Sequence, residues 1–141
     1  MDAFDADVLI YAAAPDHPLG RRVAALLPPR AGSRGAPAGV GSLLLLPQVL
    51  GKPIRDDAAG EVQALAALLA RLDLHPLDQA TAELATALSG RYRMRAADAV
   101  HLATAIVFGA DRFITNNQRD FPATIEEIRV TYPADLPESA A

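Results

Sequence analysis

The sequence predicts an α/β protein in which a central parallel sheet has helices on both faces. Short aliphatic runs alternate with longer stretches of helical periodicity along the chain. The sequence contains no internal repeat. Strands that alternate with helices are joined by crossover connections, which make neighbouring strands parallel. At 141 residues the chain is long enough to bury the core of one domain.

The composition narrows the class of protein. Hydrophobic residues make up 51% of the chain but aromatic residues only 5%, so the predicted core is aliphatic and rich in alanine. The absence of cysteine excludes disulfides and thiolate metal sites. A net charge of −4 argues against a surface that coats nucleic acid, although a local basic groove is compatible with it.

The sequence carries no signal for export or for membrane insertion. The first residues, MDAFDAD, are acidic and lack the basic region of a signal peptide. No apolar run approaches the ~18 residues that span a bilayer. We therefore expect a soluble protein of the cytoplasm.

The first half of the chain is divided into elements by proline and glycine, which close helices and form turns. Aliphatic runs mark the strands, and apolar residues at helical spacing mark the helices. In order, we predict a strand that ends at Asp5, a helix from about Val8 to Pro15, a helix opened by His17, a surface loop over 28–41, a strand around 40–43, and a helix that carries Gln48 and ends near 51–53.

In the second half, aspartate precedes or opens several predicted helices, where it is a favoured residue. In order, we predict a helix from Asp56 whose apolar stripe reaches Leu72, a strand over 74–77, a helix from Gln79 to about Ser89, a helix headed by Asp98 and stopped by Gly109, a strand over Arg112–Ile114, a last strand around 125–130, and a polar tail from about 132.

Three acidic regions are predicted to meet at one edge of the sheet. Asp5 follows the first strand, Asp98 heads a helix, and the loop Asn116–Asp120 follows a later strand. The carboxyl ends of parallel strands share one edge, where such sheets bind their ligands. Carboxylates packed closely repel one another unless a cation holds them, and oxygen ligands suit Mg²⁺ or Mn²⁺. Such ions activate water for phosphodiester cleavage.

Each of these residues also has a simpler interpretation. A single aspartate at a helix start is commonly a cap, and only the joint occurrence of several at one edge favours a site. His101, one turn after Asp98, is expected to be a packing or hydrogen-bonding residue. Three arginines close to Asp98 in the sequence are expected to form a solvated connection, or else to contact phosphates: Arg91, Arg93 and Arg95.

At these motifs the chain resembles the PIN-domain family, the metal-dependent ribonuclease fold that includes the VapC toxins of toxin–antitoxin pairs. FDADVLIYA, RAADAVHLATAI and ADRFITNNQRDF resemble its opening, central and closing motifs. LLLLPQVLGKP and GEVQALAALLARLDLHPL are similar to the segments between them. The resemblance implies a single three-layer α/β/α domain over 1–141 that cleaves RNA at acidic residues binding Mg²⁺ or Mn²⁺. It also implies a homodimer and an antitoxin protein as partner.

The resemblance implies a set of site residues. Asp5 and Asp98 match the acidic ligands of the family. Gln48 stands where the family usually has glutamate, and Asn117 where many members have aspartate. Losing a charge about 4 Å from an ion forfeits roughly 4 kcal/mol per unit of ion charge at an effective dielectric of 20. The resemblance also offers two supplementary ligands, Asp7 and Asp120, and two further candidates for RNA contact, Thr115 and Asn116.

Three functions are compatible with these residues. The first is a metal-dependent ribonuclease that is the toxin of a type II toxin–antitoxin pair. The second is a PIN-like binding or scaffold module with weakened catalysis, motivated by Gln48 and Asn117. The third is a phosphatase of the haloacid dehalogenase type, suggested by Asp5-x-Asp7 after a strand. Those phosphatases also use a lysine, and the only one here is Lys52.

Overall fold

A parallel sheet of five strands forms the centre of the molecule, in the order β3-β2-β1-β4-β5. The computed structural model describes residues 1–32 and 34–138. All four strand pairs are parallel, which confirms the predicted sheet. The strands are β1 (Asp2–Phe4), β2 (Gly39–Ser42), β3 (Leu72–His75), β4 (Arg112–Ile114) and β5 (Arg129–Thr131).

Helices cover both faces of the sheet, so the predicted three-layer architecture is confirmed. The helices are α1 (Ala6–Ala12), α2 (Pro18–Ala24), α3 (Leu45–Arg55), α4 (Ala59–Leu69), α5 (Gln79–Tyr92) and α6 (Ala96–Val107). Adjacent residues of a strand point to opposite faces. Phe4 and Ile114 therefore pack with α1 to α4, whereas Ala3 and Phe113 pack with α5 and α6.

Several element boundaries differ from the prediction. α1 begins directly at Ala6 because Asp5 caps it. α3 runs through Pro53 to Arg55 instead of ending at 51–53. Leu72 opens β3, so the strand starts earlier than 74–77, and β5 starts later than the predicted run over 125–130.

α5 extends beyond its predicted end at about Ser89. Gly90 continues the helix, and nothing lies within 4 Å of the position that its Cβ would occupy. The helix ends three residues later, where Arg93 adopts a left-handed conformation with φ 56° and its N–H donates to the Ser89 carbonyl. The left-handed cap is therefore formed by an arginine, a residue that rarely takes this conformation.

The segment after β5 is part of the packed structure as far as Leu136, in contrast to the predicted polar tail. A short 3₁₀ turn spans Pro133–Asp135, and Leu136 is only 3% exposed. The Arg22 guanidinium donates hydrogen bonds to the carbonyls of Ala134 and Leu136 at 2.8 and 3.2 Å. The last part of the predicted tail, residues 139–141, lies outside the described residues.

Leu136→Ala is expected to lower the free energy of unfolding by about 2 kcal/mol, because a buried leucine loses its transfer energy and leaves a cavity. Chemical denaturation at equilibrium measures the loss. Leu77→Ala is the matched control, since Leu77 is 53% exposed. Equal losses in the two variants would contradict the packed position of Leu136.

The sheet has its switch point between β1 and β4. The chain leaves β1 for β2 on one side and later returns to place β4 on the other side. At the end of the two strands, the Asp5 N–H donates to the carbonyl of Ile114, the last residue of β4, at 2.9 Å. Open parallel sheets bind ligands outside the carboxyl ends of strands at such a point. In the part of the chain that the structure describes, no helix is long and apolar enough to cross a membrane.

Candidate functional site

Asp5 follows β1 directly and is held by two hydrogen bonds. Its Oδ1 accepts from the Ala6 N–H at 2.8 Å, and its Oδ2 accepts from the Thr115 hydroxyl at 2.8 Å. The side chain is 7% exposed. Burial raises the pKa of Asp5, the two hydrogen bonds oppose this rise, and the charge of Asp120 adds to it. Asp5 is thus a helix cap, but its second oxygen faces the loop after β4.

The loop after β4 is fixed by its own side chains. Thr115 Oγ1 accepts a hydrogen bond from the Asn117 N–H at 3.1 Å. Asn117 Nδ2 donates to Asp120 Oδ2 at 2.9 Å, and its Oδ1 accepts from the Asp120 N–H at 3.2 Å. The prediction that Thr115 contacts RNA is wrong, because this side chain is 0% exposed. Asn117 lies at the predicted edge and holds Asp120 in place.

Asp7 connects the head of α1 to the same loop. Its Oδ1 accepts from the Val8 N–H at 2.7 Å, and its Oδ2 accepts from the Asn116 N–H at 3.1 Å. The Asn116 side-chain amide donates to the Tyr11 hydroxyl at 3.5 Å. Burial raises the pKa of Asp7 to about 6, and the negative charge of Asp5 adds to this rise.

Asp98 lies in the first turn of α6 and is half-buried. Among the described residues, no side chain or N–H forms a hydrogen bond with its carboxylate. Burial raises the pKa of Asp98, the charges of Asp5 and Asp120 raise it further, and the Arg95 guanidinium opposes the rise. The carboxylate therefore does not act as the cap that an isolated aspartate would suggest.

Four carboxylates share this edge of the sheet: Asp5, Asp7, Asp98 and Asp120. The charge of another member raises the pKa of Asp5, Asp7 and Asp98, which indicates that these carboxylates lie near one another. Within residues 1–32 and 34–138, no three His, Cys, Asp or Glu side chains already form a group able to hold a metal ion. The donor chemistry fits a hard divalent cation, which would draw these oxygens together.

Gln48 lies in α3 and forms a hydrogen bond with His101 of α6. The Gln48 Oε1 and the His101 Nε2 are 2.5 Å apart. His101 is 4% exposed, and burial lowers its pKa to about 4, so the ring is neutral and its Nε2–H donates to the amide oxygen. The interpretation of His101 as a hydrogen-bonding residue agrees with this contact. The amide oxygen of Gln48 is thus engaged by the imidazole.

The three arginines near Asp98 differ in their surroundings. Arg91 forms ion pairs with Glu126 at 2.9 Å and Glu127 at 3.3 Å. Arg93 and Arg95 are exposed, and only Arg95 affects the pKa of Asp98. Arg91 is therefore the least available of the three for contact with a phosphate.

A family model of the PIN domain matches residues 3–126. The chain belongs to the PIN domain family. The matched segment contains α1 with its cap Asp5, α3, α6 and the loop after β4, which carry all four carboxylates and Gln48. This assignment displaces the phosphatase alternative. Lys52, the lysine that such a phosphatase would need, forms an exposed ion pair with Asp56 at 3.9 Å. Comparison with curated proteins found no significant match.

Among solved structures, the PIN domain is similar to a chain described as "Toxin-antitoxin complex from Klebsiella pneumoniae". The TM-score is 0.73 and the sequence identity is 24%, with 94% of this chain and 98% of that chain covered. At this identity the likeness concerns the fold alone.

Two features of the PIN domain were not predicted from its sequence. The hydrogen bond between Gln48 and His101 joins residues 53 positions apart, and no local pattern indicates it. Arg119 is exposed within the loop that carries Asp120, and its position inside NNQRDF is a signal that could have identified it.

Mn²⁺ is expected to raise the melting temperature of this PIN domain more at about pH 8 than at about pH 5. Burial raises the folded-state pKa of Asp5 and Asp98 above the ordinary 3.8, so the stability that their protonated forms contribute at low pH is lost as pH rises through these raised pKa values. A divalent cation compensates the carboxylates only when they are charged. The lowered pKa of His101 acts in the opposite direction, since stability falls as pH drops from 6.5 to about 4.

Thermal unfolding with and without metal at each pH measures this effect, because the His101 contribution is common to both samples and cancels. At a Mn²⁺ concentration about 100 times the dissociation constant, the gain at the higher pH is about 2.7 kcal/mol. For a chain of this size, that gain corresponds to roughly 5 to 10 °C. A shift that is equal at both pH values would contradict binding at the carboxylates.

Proposed function

We propose that this PIN domain is a metal-dependent ribonuclease and the toxin of a type II toxin–antitoxin pair. The observation that carries the proposal is the group of mutually repelling carboxylates at the switch point of the sheet. Asp5, Asp98 and Asp120 come from three separate elements, and helix capping alone gives no reason for their convergence. Membership of the PIN family supports nuclease activity, in line with the motif resemblance.

In this proposal Asp5 and Asp98 are the main ligands of Mg²⁺ or Mn²⁺, and Asp120 completes the set. The ion would supply activation of water and stabilisation of charge on the phosphodiester. Asp5 is oriented by its hydrogen bonds to the Ala6 N–H and the Thr115 hydroxyl. Asp98 has no such partner among the described residues, and its carboxylate is free to move towards a cation.

The RNA is proposed to lie along the exposed arginines beside the carboxylates. Arg93 and Arg95 precede Asp98, and Arg119 lies in the loop that carries Asp120; all three are exposed. Phosphate contacts of this kind position a nucleic acid without reading its sequence. Asn116 is half-buried at the same edge and adds an amide group.

The partner is proposed to be a small antitoxin protein, and the active form a homodimer in the cytoplasm. The similar fold found in a toxin–antitoxin complex supports the first of these statements. The motif resemblance supports the antitoxin and the homodimer, since members of the family that includes VapC toxins commonly form dimers and bind a small antitoxin protein.

A second candidate function is a PIN-like binding module with weakened catalysis. The specific observation in its favour is the engagement of Gln48 by His101, at a position where the family usually has glutamate. A neutral amide oxygen that already accepts a hydrogen bond is a weaker ligand for Mg²⁺ than a carboxylate.

A cleavage assay on single-stranded RNA separates the two functions. The purified protein is incubated with RNA in Mn²⁺, in Mg²⁺ and in excess chelator, with single-stranded DNA of the same sequence as a parallel substrate. Cleavage of RNA that requires the divalent ion supports the ribonuclease. Binding of RNA without cleavage in either metal supports the binding module and contradicts the enzyme.

A further inference from the structure

Asp7 differs from the other carboxylates of the site in that main-chain N–H groups occupy both of its oxygens. Oδ1 accepts from the Val8 N–H at 2.7 Å, and Oδ2 accepts from the Asn116 N–H at 3.1 Å. The first contact is local to the start of α1. The second joins residues 109 positions apart, so it is a tertiary contact between α1 and the loop after β4.

Two adjacent hydrogen bonds join the loop to the acidic residues at the head of α1, and a third, longer one joins the Asn116 side-chain amide to the Tyr11 hydroxyl at 3.5 Å. Thr115 is joined to Asp5 through its hydroxyl, and the next residue, Asn116, is joined to Asp7 through its backbone. Two consecutive residues of the loop are thus attached to two acidic residues at the head of α1. Of these contacts, only the one with Asp7 holds the Asn116 N–H itself.

The position of Asp120 depends on the same loop. Asn117, next to Asn116, holds the Asp120 backbone and side chain through its own amide group. The contact of Asp7 with Asn116 therefore restricts Asp120 as well. Asp7 thus affects the site indirectly, through the loop that carries Asp120.

The geometry also disfavours Asp7 as a direct metal ligand. A cation that approaches an oxygen already facing an N–H meets the positive end of that dipole, and ligation competes with the hydrogen bond. Asp98, whose carboxylate has no hydrogen bond among the described residues, meets no such competition. At Asp5 the competition is weaker, because the hydrogen of the Thr115 hydroxyl can rotate away from Oδ2, whereas a main-chain N–H cannot.

We propose that Asp7 is a positioning residue, whose carboxylate holds the Asn116 backbone and thereby places Asp120, and that it does not ligate the metal. The part of this inference that concerns the metal rests on the proposed function. The part that concerns the loop does not.

Two substitutions at position 7 separate the roles. Asp7→Asn keeps one oxygen that can accept from the Asn116 N–H, but it removes the charge. Asp7→Ala removes both. Asp16→Ala, at an exposed aspartate between α1 and α2, is the control. Amide hydrogen exchange of Asn116 and Asn117, followed by NMR without metal, reports on the loop, and calorimetry with Mn²⁺ alone reports on the metal affinity.

Asp7→Ala is expected to accelerate exchange at Asn116 and to weaken Mn²⁺ binding about tenfold, the size of effect found for residues that orient a ligand. Asp7→Asn is expected to recover most of both losses. This rescue by a neutral residue is not expected of a metal ligand, whose charge is essential. If the alanine variant does not fold, the comparison of Asp7→Asn with the parent protein still decides the question.

Equal, large losses of Mn²⁺ affinity in both variants would overturn the proposal, because they identify Asp7 as a ligand. Unchanged exchange at Asn116 in Asp7→Ala would overturn it as well, because the contact would then not hold the loop. If the parent protein binds no Mn²⁺, the proposed function fails. The exchange measurements then still decide whether Asp7 holds Asn116.

Discussion

Replacing Asp5 or Asp98 by asparagine is expected to reduce metal-dependent RNA cleavage to background while the fold remains intact. Each substitution removes one charge next to the proposed ion. At about 4 Å and an effective dielectric of 20 this costs roughly 4 kcal/mol per unit of ion charge, which corresponds to about a thousandfold in rate. Asparagine has nearly the shape of aspartate, so the packing around each position is kept.

Stability measurements distinguish a lost site from a lost fold. Burial raises the pKa of both Asp5 and Asp98, which means that their charges destabilise the metal-free protein at neutral pH. The asparagine variants are therefore expected to unfold at the same temperature as the parent or above it. Asp16→Asn, at an exposed position, is the matched control for cleavage. If Asp5→Asn and Asp98→Asn both cleave RNA at the rate of the parent protein, the ribonuclease proposal is contradicted.

Gly20→Ala is expected to lower the free energy of unfolding by about 3 kcal/mol or more, the upper range for overpacking. A Cβ at this position would lie 1.9 Å from the Tyr11 carbonyl oxygen and 2.6 Å from the Tyr11 carbonyl carbon. Both are backbone atoms, so the overlap is relieved only if α1 and α2 move apart. Thermal and chemical denaturation measure the loss.

Gly60→Ala provides the opposite case within the same molecule. Gly60 lies in α4, and no atom is within 4 Å of the position of its missing Cβ. Alanine there is expected to stabilise the protein by about 0.5–1 kcal/mol, because it lowers the entropy lost on forming the helix. If Gly20→Ala proves as harmless as Gly60→Ala, the close contact between α1 and α2 is not present in solution.

The parts of the fold that follow from periodicity could be predicted from the sequence. The strand Arg112–Ile114 and the glycine after α6 follow the prediction closely, because an aliphatic run and a glycine at a helix end are local signals. The convergence of Asp5, Asp98 and Asp120 was also accessible, since parallel strands share one carboxyl edge.

The parts that depend on tertiary packing could not be predicted. Thr115 appeared to be an exposed polar residue, but its hydroxyl lies between Asp5 and the Asn117 N–H. The segment through Leu136 appeared to be a polar tail, but Arg22 holds its carbonyls. In both cases the deciding partner is far away in the chain, and a local pattern carries no information about it.

The pairing of β1 with β4 has a consequence for the time at which the site is assembled. Asp5 and Thr115 lie 110 residues apart. At a synthesis rate of about 5–20 residues per second, Asp5 is made several seconds before β4, the strand that completes its surroundings. A nascent or truncated chain that lacks β4 also lacks Thr115, whose hydroxyl is the partner of Asp5 Oδ2 in this structure. Under the proposed function, cleavage would therefore begin only after β4 has been synthesised.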